Sequence, residues 1–322
     1  MRYRKLGRTG LEVSEVGFGA WGIGGVLWAD SEDDASRAAL DRAVGSGINF
    51  FDTALAYGNG HSEKLIAALR KRHPKVIVAT KVPPKNGQWP ARLGVPIKDV
   101  FPLTWIVECT ENSLRNLGIE TVDLQQLHVW SPEWVDRDEW KEAVYRLKKE
   151  GKIRFFGLSI NDHQPETAAG AIGTGLVDSV QVIYNIFDQS PQDELLPLCQ
   201  KENIGFLARV PFDEGSLAGA ISLDTTFTKG DFRNHYFNGD RKRQVVERVD
   251  KIRALIKGSA DGVAEAALRF CLSHPAVSSV IPGMRTDRHV ASNAAASDAG
   301  PLPDKVLDGL KEHRWVRNFY GE

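Results

Sequence analysis

Cysteine, charge of one sign and long apolar runs are all scarce in this chain. Its 322 residues hold three cysteines, Cys109, Cys199 and Cys271, far apart in the sequence. With no CxxC and no HExxH pattern, neither a disulfide framework nor a metal site is expected. The thiols read as buried groups of a protein kept in a reducing cytosol. Opposite charges nearly cancel, leaving a net charge of −1, which argues against a general nucleic-acid or membrane-surface role. No apolar stretch approaches the roughly 20 residues that a transmembrane helix needs. The opening, Met1-Arg2-Tyr3-Arg4-Lys5, does not begin a signal peptide. A cytoplasmic protein acting on small molecules is the expectation, with its oligomeric state unreadable.

Short apolar runs alternate with helical patterns nearly to the end. Residues 3–14 predict a hairpin around Thr9-Gly10. Eight strands are then expected, at 15–19, 48–52, 76–80, 122–128, 153–158, 179–184, 204–209 and 277–281. A helix is expected from Ser31, with Asp34 three residues on as in a capping box. Further helices are expected near 63–72, 104–117, 137–150, 164–173, 191–202, 260–273 and 286–296. That alternation fits a (β/α)8 TIM barrel better than a doubly wound sheet. Two long loops, 83–103 and 210–258, interrupt the rhythm, the second with a helix near 240–257, and a helical tail is expected over 301–320. No linker divides the chain, so one domain spanning 1–322 is expected.

In such a barrel the site lies at the C-terminal ends of the strands. Three expected strands end on a polar residue: Asp52, Lys81 and His128, while Tyr57 follows Asp52 in the loop Tyr57-Gly58-Asn59-Gly60. Carbonyl reduction requires a proton for oxygen as well as a hydride for carbon. A free phenol, with a pKa of ~10, is a poor acid at neutral pH. An ammonium beside it would lower that pKa. Lys81 can fill this role for Tyr57, with Asp52 holding Lys81 and His128 orienting the substrate oxygen. Any one of these residues alone would read as a turn, packing or surface residue. All four on one rim read as an acid/base site.

Gly17-Phe18-Gly19-Ala20-Trp21-Gly22 offers a rival, the GxGxxG pattern of dinucleotide-binding folds, with Asp52 as its ribose-binding acid. That motif works by seating a pyrophosphate on a helix that starts inside the glycine loop. Here the helix is expected about nine residues later, at Ser31. The loop reads instead as a pocket lining, with Trp21, Trp28 and Trp130 as the expected substrate walls and Trp89 and Trp105 as further candidates.

Asn49-Phe50-Phe51-Asp52-Thr53-Ala54-Leu55-Ala56-Tyr57-Gly58 resembles the aldo-keto reductases, as do Gly157-Leu158-Ser159, Gln181-Val182-Ile183-Tyr184-Asn185 and Ile281-Pro282-Gly283. The resemblance runs in order from about residue 3 to residue 296. It implies a (β/α)8 barrel that binds NADPH, or NADH, without a Rossmann domain, and a catalytic tetrad of Asp52, Tyr57, Lys81 and His128. It also implies that Ser159 and Gln181 meet the nicotinamide amide, with Asn161 or Asn185 nearby. Asn161 stands one place late, because Ile160 intervenes. Tyr184 is left between a place near the nicotinamide and the barrel core. Arg209 occupies a position where an aromatic residue is common, and could instead reach a phosphate or an acidic substrate.

The resemblance further runs the pyrophosphate along Pro211 to Leu217. Backbone amides of Gly215, Ser216 and Leu217 would cradle it, with Asp213 and Glu214 turned away or neutralised. The adenosine end would meet Gly283, Arg285, Thr286, His289 and Asn293. Arg285 and Thr286 at a helix start suit a 2′-phosphate and so favour NADPH. The activity implied is reduction of aldehydes or ketones to alcohols. The alternative is a cofactor-binding regulatory protein resembling potassium-channel β-subunits, which carry Asn where this chain has His128.

Overall fold

The computed structural model describes residues 1–25, 32–315 and 318. The expected pocket wall Trp28 and helix start Ser31, and the tail residues Phe319 and Tyr320, lie outside them.

Eight parallel strands form the sheet, in the order β10-β9-β8-β7-β6-β5-β4-β3. They are β3 (Phe18–Gly19), β4 (Phe50–Asp52), β5 (Ile77–Val82), β6 (Val122–Leu127), β7 (Ile153–Ser159), β8 (Ser179–Ile183), β9 (Gly205–Arg209) and β10 (Val277–Val280). Sequence order equals spatial order, the outcome of repeated right-handed βα units. The ends of the sheet meet through parallel bridges Val16–Val280 and Gly19–Gly283, with Gly17 N–H donating to Val280 O at 2.8 Å. The expected TIM barrel is therefore present. Strand limits shift by a few residues, most at 15–19, where only Phe18–Gly19 is regular.

The seam explains the glycines. A Cβ at Gly17 would stand 2.8 Å from the Phe50 ring, and one at Gly19 would stand 2.7 Å from Ile281 O. One at Gly22 would stand 3.0 Å from the Arg285 stem. No α-helix begins inside this loop, which continues as a short 3-10 turn, Trp21–Ile23.

The antiparallel hairpin pairs β1 (Tyr3–Lys5) with β2 (Glu12–Ser14) around a 3-10 turn, Gly7–Thr9. Its Leu6, Leu11 and Val13 join Phe50, Ile77, Ala79, Leu124, Leu207 and Ile281 in one buried cluster. The hairpin thus plugs the barrel at the N-terminal end of the strands.

The first two helices after the hairpin are α1 (Asp33–Gly45) and α2 (His61–Arg72). Then come α3 (Ile97–Val100), α4 (Leu103–Leu117) and α5 (Asp138–Lys149). They are followed by α6 (Ala169–Gly173), α7 (Leu195–Lys201), α8 (Arg233–Tyr236) and α9 (Arg241–Leu255). The last are α10 (Val263–Ser273), α11 (Asp287–Ala299) and α12 (Asp304–Lys311). In α5 the buried residues Trp140, Ala143, Val144 and Leu147 recur at helical spacing and face the barrel. Among the described residues of the expected tail helix, the helical ones are the eight of α12. Among the described residues no helix is long and apolar enough to cross a membrane, and no His/Cys/Asp/Glu group could hold a metal ion.

Candidate active site

Inside the barrel the lining changes from apolar to polar within one pleat. Alternate strand residues point inward, so Phe50, Ala79 and Leu124 in the plug are followed two places on by Asp52, Lys81 and Gln126. Lys81 pairs in register with Gln126, and Ser159 with Gln181. Lys81 sits inside β5, one place before its end, rather than just after a strand as its sequence position suggested.

Lys81 Nζ donates to Asp52 Oδ1 at 2.5 Å, to Thr53 O at 2.8 Å and to Tyr57 Oη at 3.5 Å. Asp52 Oδ2 also accepts from Gln181 Nε2 at 2.8 Å and from Gln126 Nε2 at 3.3 Å. Gln126 was missed in the sequence. Its signal was a second glutamine in a strand of otherwise apolar inward residues.

His128 follows β6, its N–H donating to Val82 O at 3.0 Å. Its ring lies edge-on to Tyr57 at 5.6 Å and to Trp89 at 4.5 Å. The four expected catalytic side chains are thus brought together, with Trp89 as an added wall. Trp21 stands beyond Tyr57, 6.5 Å between ring centroids, and 5.0 Å from Phe232 of the long second loop.

Burial pulls the Lys81 ammonium down, but Asp52, then Tyr57, more than restore it, so it is held above its ordinary range. Burial pushes the Tyr57 phenol up, and this outweighs the lowering by Lys81. The expected net lowering of that phenol is therefore corrected: at 3.5 Å the Lys81 contact is too long to offset desolvation. His128 is held well below the usual imidazole range by burial, then by Lys81 and Arg209. At neutral pH the site therefore holds an ammonium, a phenol and a neutral imidazole.

Several expected cofactor contacts are arranged differently. The Gly215 and Leu217 amides both donate to Phe212 O at 2.9 Å. They close a tight turn, because Asp213 and Glu214 adopt positive φ of 45° and 55°, so they are not the anion cradle expected of them. Ser216 Oγ remains buried with no protein partner. Pro211 and Leu217 are buried. Asp213 is neutralised by Arg241 Nη2 at 2.6 Å and accepts from Tyr236 Oη at 3.0 Å.

Asn161 does not stand free beside Ser159. Its carboxamide bonds both backbone groups of Ala91. Arg209 donates to Asp162 Oδ1 at 2.6 Å and Ile160 O at 3.0 Å, crossing the end of β8. Asn185 holds Val210 O and caps the following turn. Tyr184 is a core aromatic, packed on Phe206 and Phe270.

Trp130 is corrected as a substrate wall. It has no exposed surface, its ring lies edge-on to Trp134 and Trp140, and its Nε1 donates to Thr167 O.

At the other side of the mouth, Gly283 faces Gly19 across the seam. Arg285 lies on Gly22; burial pushes the Asp231 carboxyl up, but Arg233, helped by the charge of Arg285, holds it below its usual range. Thr286 caps α11, its Oγ1 accepting from His289 N–H. His289 is half-buried, and Asn293 Nδ2 is buried without a protein partner. A surface cavity of about 580 Å³ lies elsewhere, between Gly94–Lys98 and Glu133–Glu139.

The model of the aldo/keto reductase family matches residues 15–314. The chain belongs to the aldo/keto reductase family. It is 30% identical to the aldo-keto reductase YhdN of Bacillus subtilis, covering 88% of this chain and 85% of that one. It is also 30% identical to a probable voltage-gated potassium channel subunit beta of rice, covering 97% and 96%. The solved glycerol dehydrogenase AKR11B4 of Gluconobacter oxydans superposes with a TM-score of 0.80 at 27% identity, covering 97% and 94%. This aldo/keto reductase is accordingly a nicotinamide-dependent oxidoreductase built on the family's barrel.

Proposed function

We propose that the protein reduces aldehydes or ketones to alcohols, reversibly, with NADPH as the preferred cofactor and Tyr57 as the general acid. The observation that carries this reading is the line from the buried Asp52–Lys81 pair to Tyr57, ending beside a neutral His128.

The residues present fit the cofactor. Ser216 Oγ and Asn293 Nδ2 are buried polar atoms with no protein partner, on segments that follow neighbouring strands. A buried polar group of this kind costs about 1–3 kcal/mol unless something bonds it. Arg285 and the capped start of α11 suit a 2′-phosphate. Ser216, Arg285, Thr286, His289 and Asn293 would hold the nucleotide, and Ser159 and Gln181 its amide. When bound, the nicotinamide supplies the hydride that the carbonyl carbon accepts.

Tyr57 keeps its proton at neutral pH, because burial holds the phenol up. It gives that proton to the carbonyl oxygen, and Lys81 stabilises the phenolate left behind. Asp52 keeps Lys81 charged and in place. The neutral His128 would donate a hydrogen bond to the same oxygen from its protonated ring nitrogen.

The test is a titration with NADPH, followed by nicotinamide fluorescence, and then addition of a reactive aromatic aldehyde. Absence of cofactor binding would end this reading. Binding without turnover would favour a cofactor-binding regulatory protein instead.

A further inference from the structure

We propose that Asn161 is a positioning residue: it holds the Trp89 segment against His128 and so sets an aromatic wall for planar, aromatic carbonyl substrates. This rests on the reductase reading above.

The loop after β5 is fastened at both ends. Trp105 Nε1 donates to Pro83 O at 2.9 Å, Gly94 N–H to Glu133 Oε2 at 2.6 Å, and Trp134 Nε1 to Val95 O at 2.9 Å. Between these anchors lies Trp89-Pro90-Ala91. There the Asn161 carboxamide accepts from Ala91 N–H at 3.2 Å and donates to Ala91 O at 3.0 Å. Two bonds to one residue fix both position and orientation, as a neighbouring strand would. Gln164 Oε1, at 3.2 Å from Asn161 Nδ2, steadies the carboxamide from behind. Asn161 itself is 5% exposed and its bonds to Ala91 are partly shielded from water, where losing one is costly.

What the clasp presents is Trp89. Its ring stands at 89° to His128 with centroids 4.5 Å apart, yet 46% of the residue is exposed. One part of the indole touches the imidazole and the rest is open. Tyr57 flanks His128 from another side, with Trp21 beyond it. A carbonyl oxygen placed between Tyr57 and His128 would have its substituent beside Trp89. A flat ring gains there by stacking or edge contact, whereas a short aliphatic aldehyde does not reach it. The clasp is available because Ile160, buried in the core, occupies the place next to Ser159 and leaves the following carboxamide for the loop.

The experiment compares wild type, Asn161→Ala, Trp89→Ala and the double variant. It uses 4-nitrobenzaldehyde and methylglyoxal as substrates and NADPH as cofactor. Each single variant is expected to raise KM for the aromatic aldehyde about 5–10-fold more than KM for methylglyoxal, with NADPH affinity nearly unchanged. The double variant should be no worse than Trp89→Ala, because both changes remove one wall. Hydrogen exchange gives a readout independent of turnover: protection over residues 86–93 should fall in Asn161→Ala.

Should that variant fail to fold, Asn161→Asp keeps the bond from the Ala91 amide, loses the one to its carbonyl, and should show a smaller shift of the same kind. Additive effects in the double variant, or a loss of NADPH affinity with unchanged exchange over 86–93, would overturn the proposal. A wild type that reduces no aldehyde would defeat the reductase reading instead, and exchange would still report the clasp.

Discussion

Lys81 Nζ lies 2.5 Å from Asp52 Oδ1, and both side chains are sealed from solvent. Two charges in that position depend on each other. Removing one partner leaves the other buried and unmatched, at a cost of about 3–5 kcal/mol, whereas replacing both by apolar groups is often close to neutral. Asp52→Leu and Lys81→Met should therefore each lower stability by that order. The double variant should recover much of the loss while remaining inactive. Urea unfolding of the four proteins gives the comparison, and additive losses would count against a mutually dependent pair.

Tyr57→Phe removes the proton and little else. Carbonyl reduction should fall about 10²–10⁴-fold, the usual worth of a general acid, with NADPH affinity nearly intact. Because burial holds this phenol above its usual value, kcat/KM for reduction in the wild type should show no Tyr57-linked loss between neutrality and about pH 10. A decline centred near pH 8 would mean that the acid is another group.

His128 makes stability depend on pH with a definite sign. Its native pKa lies well below the usual imidazole value, so the unfolded chain takes up the proton first. Stability is full above about pH 6.5 and falls as pH drops from there towards the lowered native pKa. Replacing His128 by Asn should make the acid slope shallower by about 1 kcal/mol per pH unit below pH 6. Half-buried His274 and His289 shift in the same direction, so the difference between the two proteins is the measurement. Equal slopes would show that His128 is not held neutral.

Arg285→Ala should weaken NADPH by about 10–100-fold, the worth of a charge-assisted contact, and NADH far less. Equal losses for both cofactors would remove the assignment of Arg285 to the 2′-phosphate.

Much of the barrel was readable because parallel strands buried on both faces write themselves as short Val, Ile, Leu and Phe runs. Asp52 and His128 stood out by ending such runs. The depth of Lys81 did not, since the pattern cannot tell a solvated lysine after a strand from a buried one inside it. The tryptophans were least legible. Trp89 and Trp130 look alike as loop residues, and only packing sends one to His128 and the other into the helical layer. Nor does the sequence announce that Asp213 meets Arg241, because they stand 28 positions apart with a helix between them. The amides of Gly215 and Leu217 were misread for a local reason. Positive φ at the two preceding acids folds the turn back on Phe212.

The glycine loop that mimics a dinucleotide fingerprint has a different use. Gly22 lies where a methyl group would press on the stem of Arg285. The short turn at Trp21–Ile23 therefore acts as a gauge for a guanidinium more than 260 positions away. A substitution there need not loosen the barrel to be felt. It would shift the side chain assigned to the phosphate and alter cofactor discrimination from a residue that itself binds nothing.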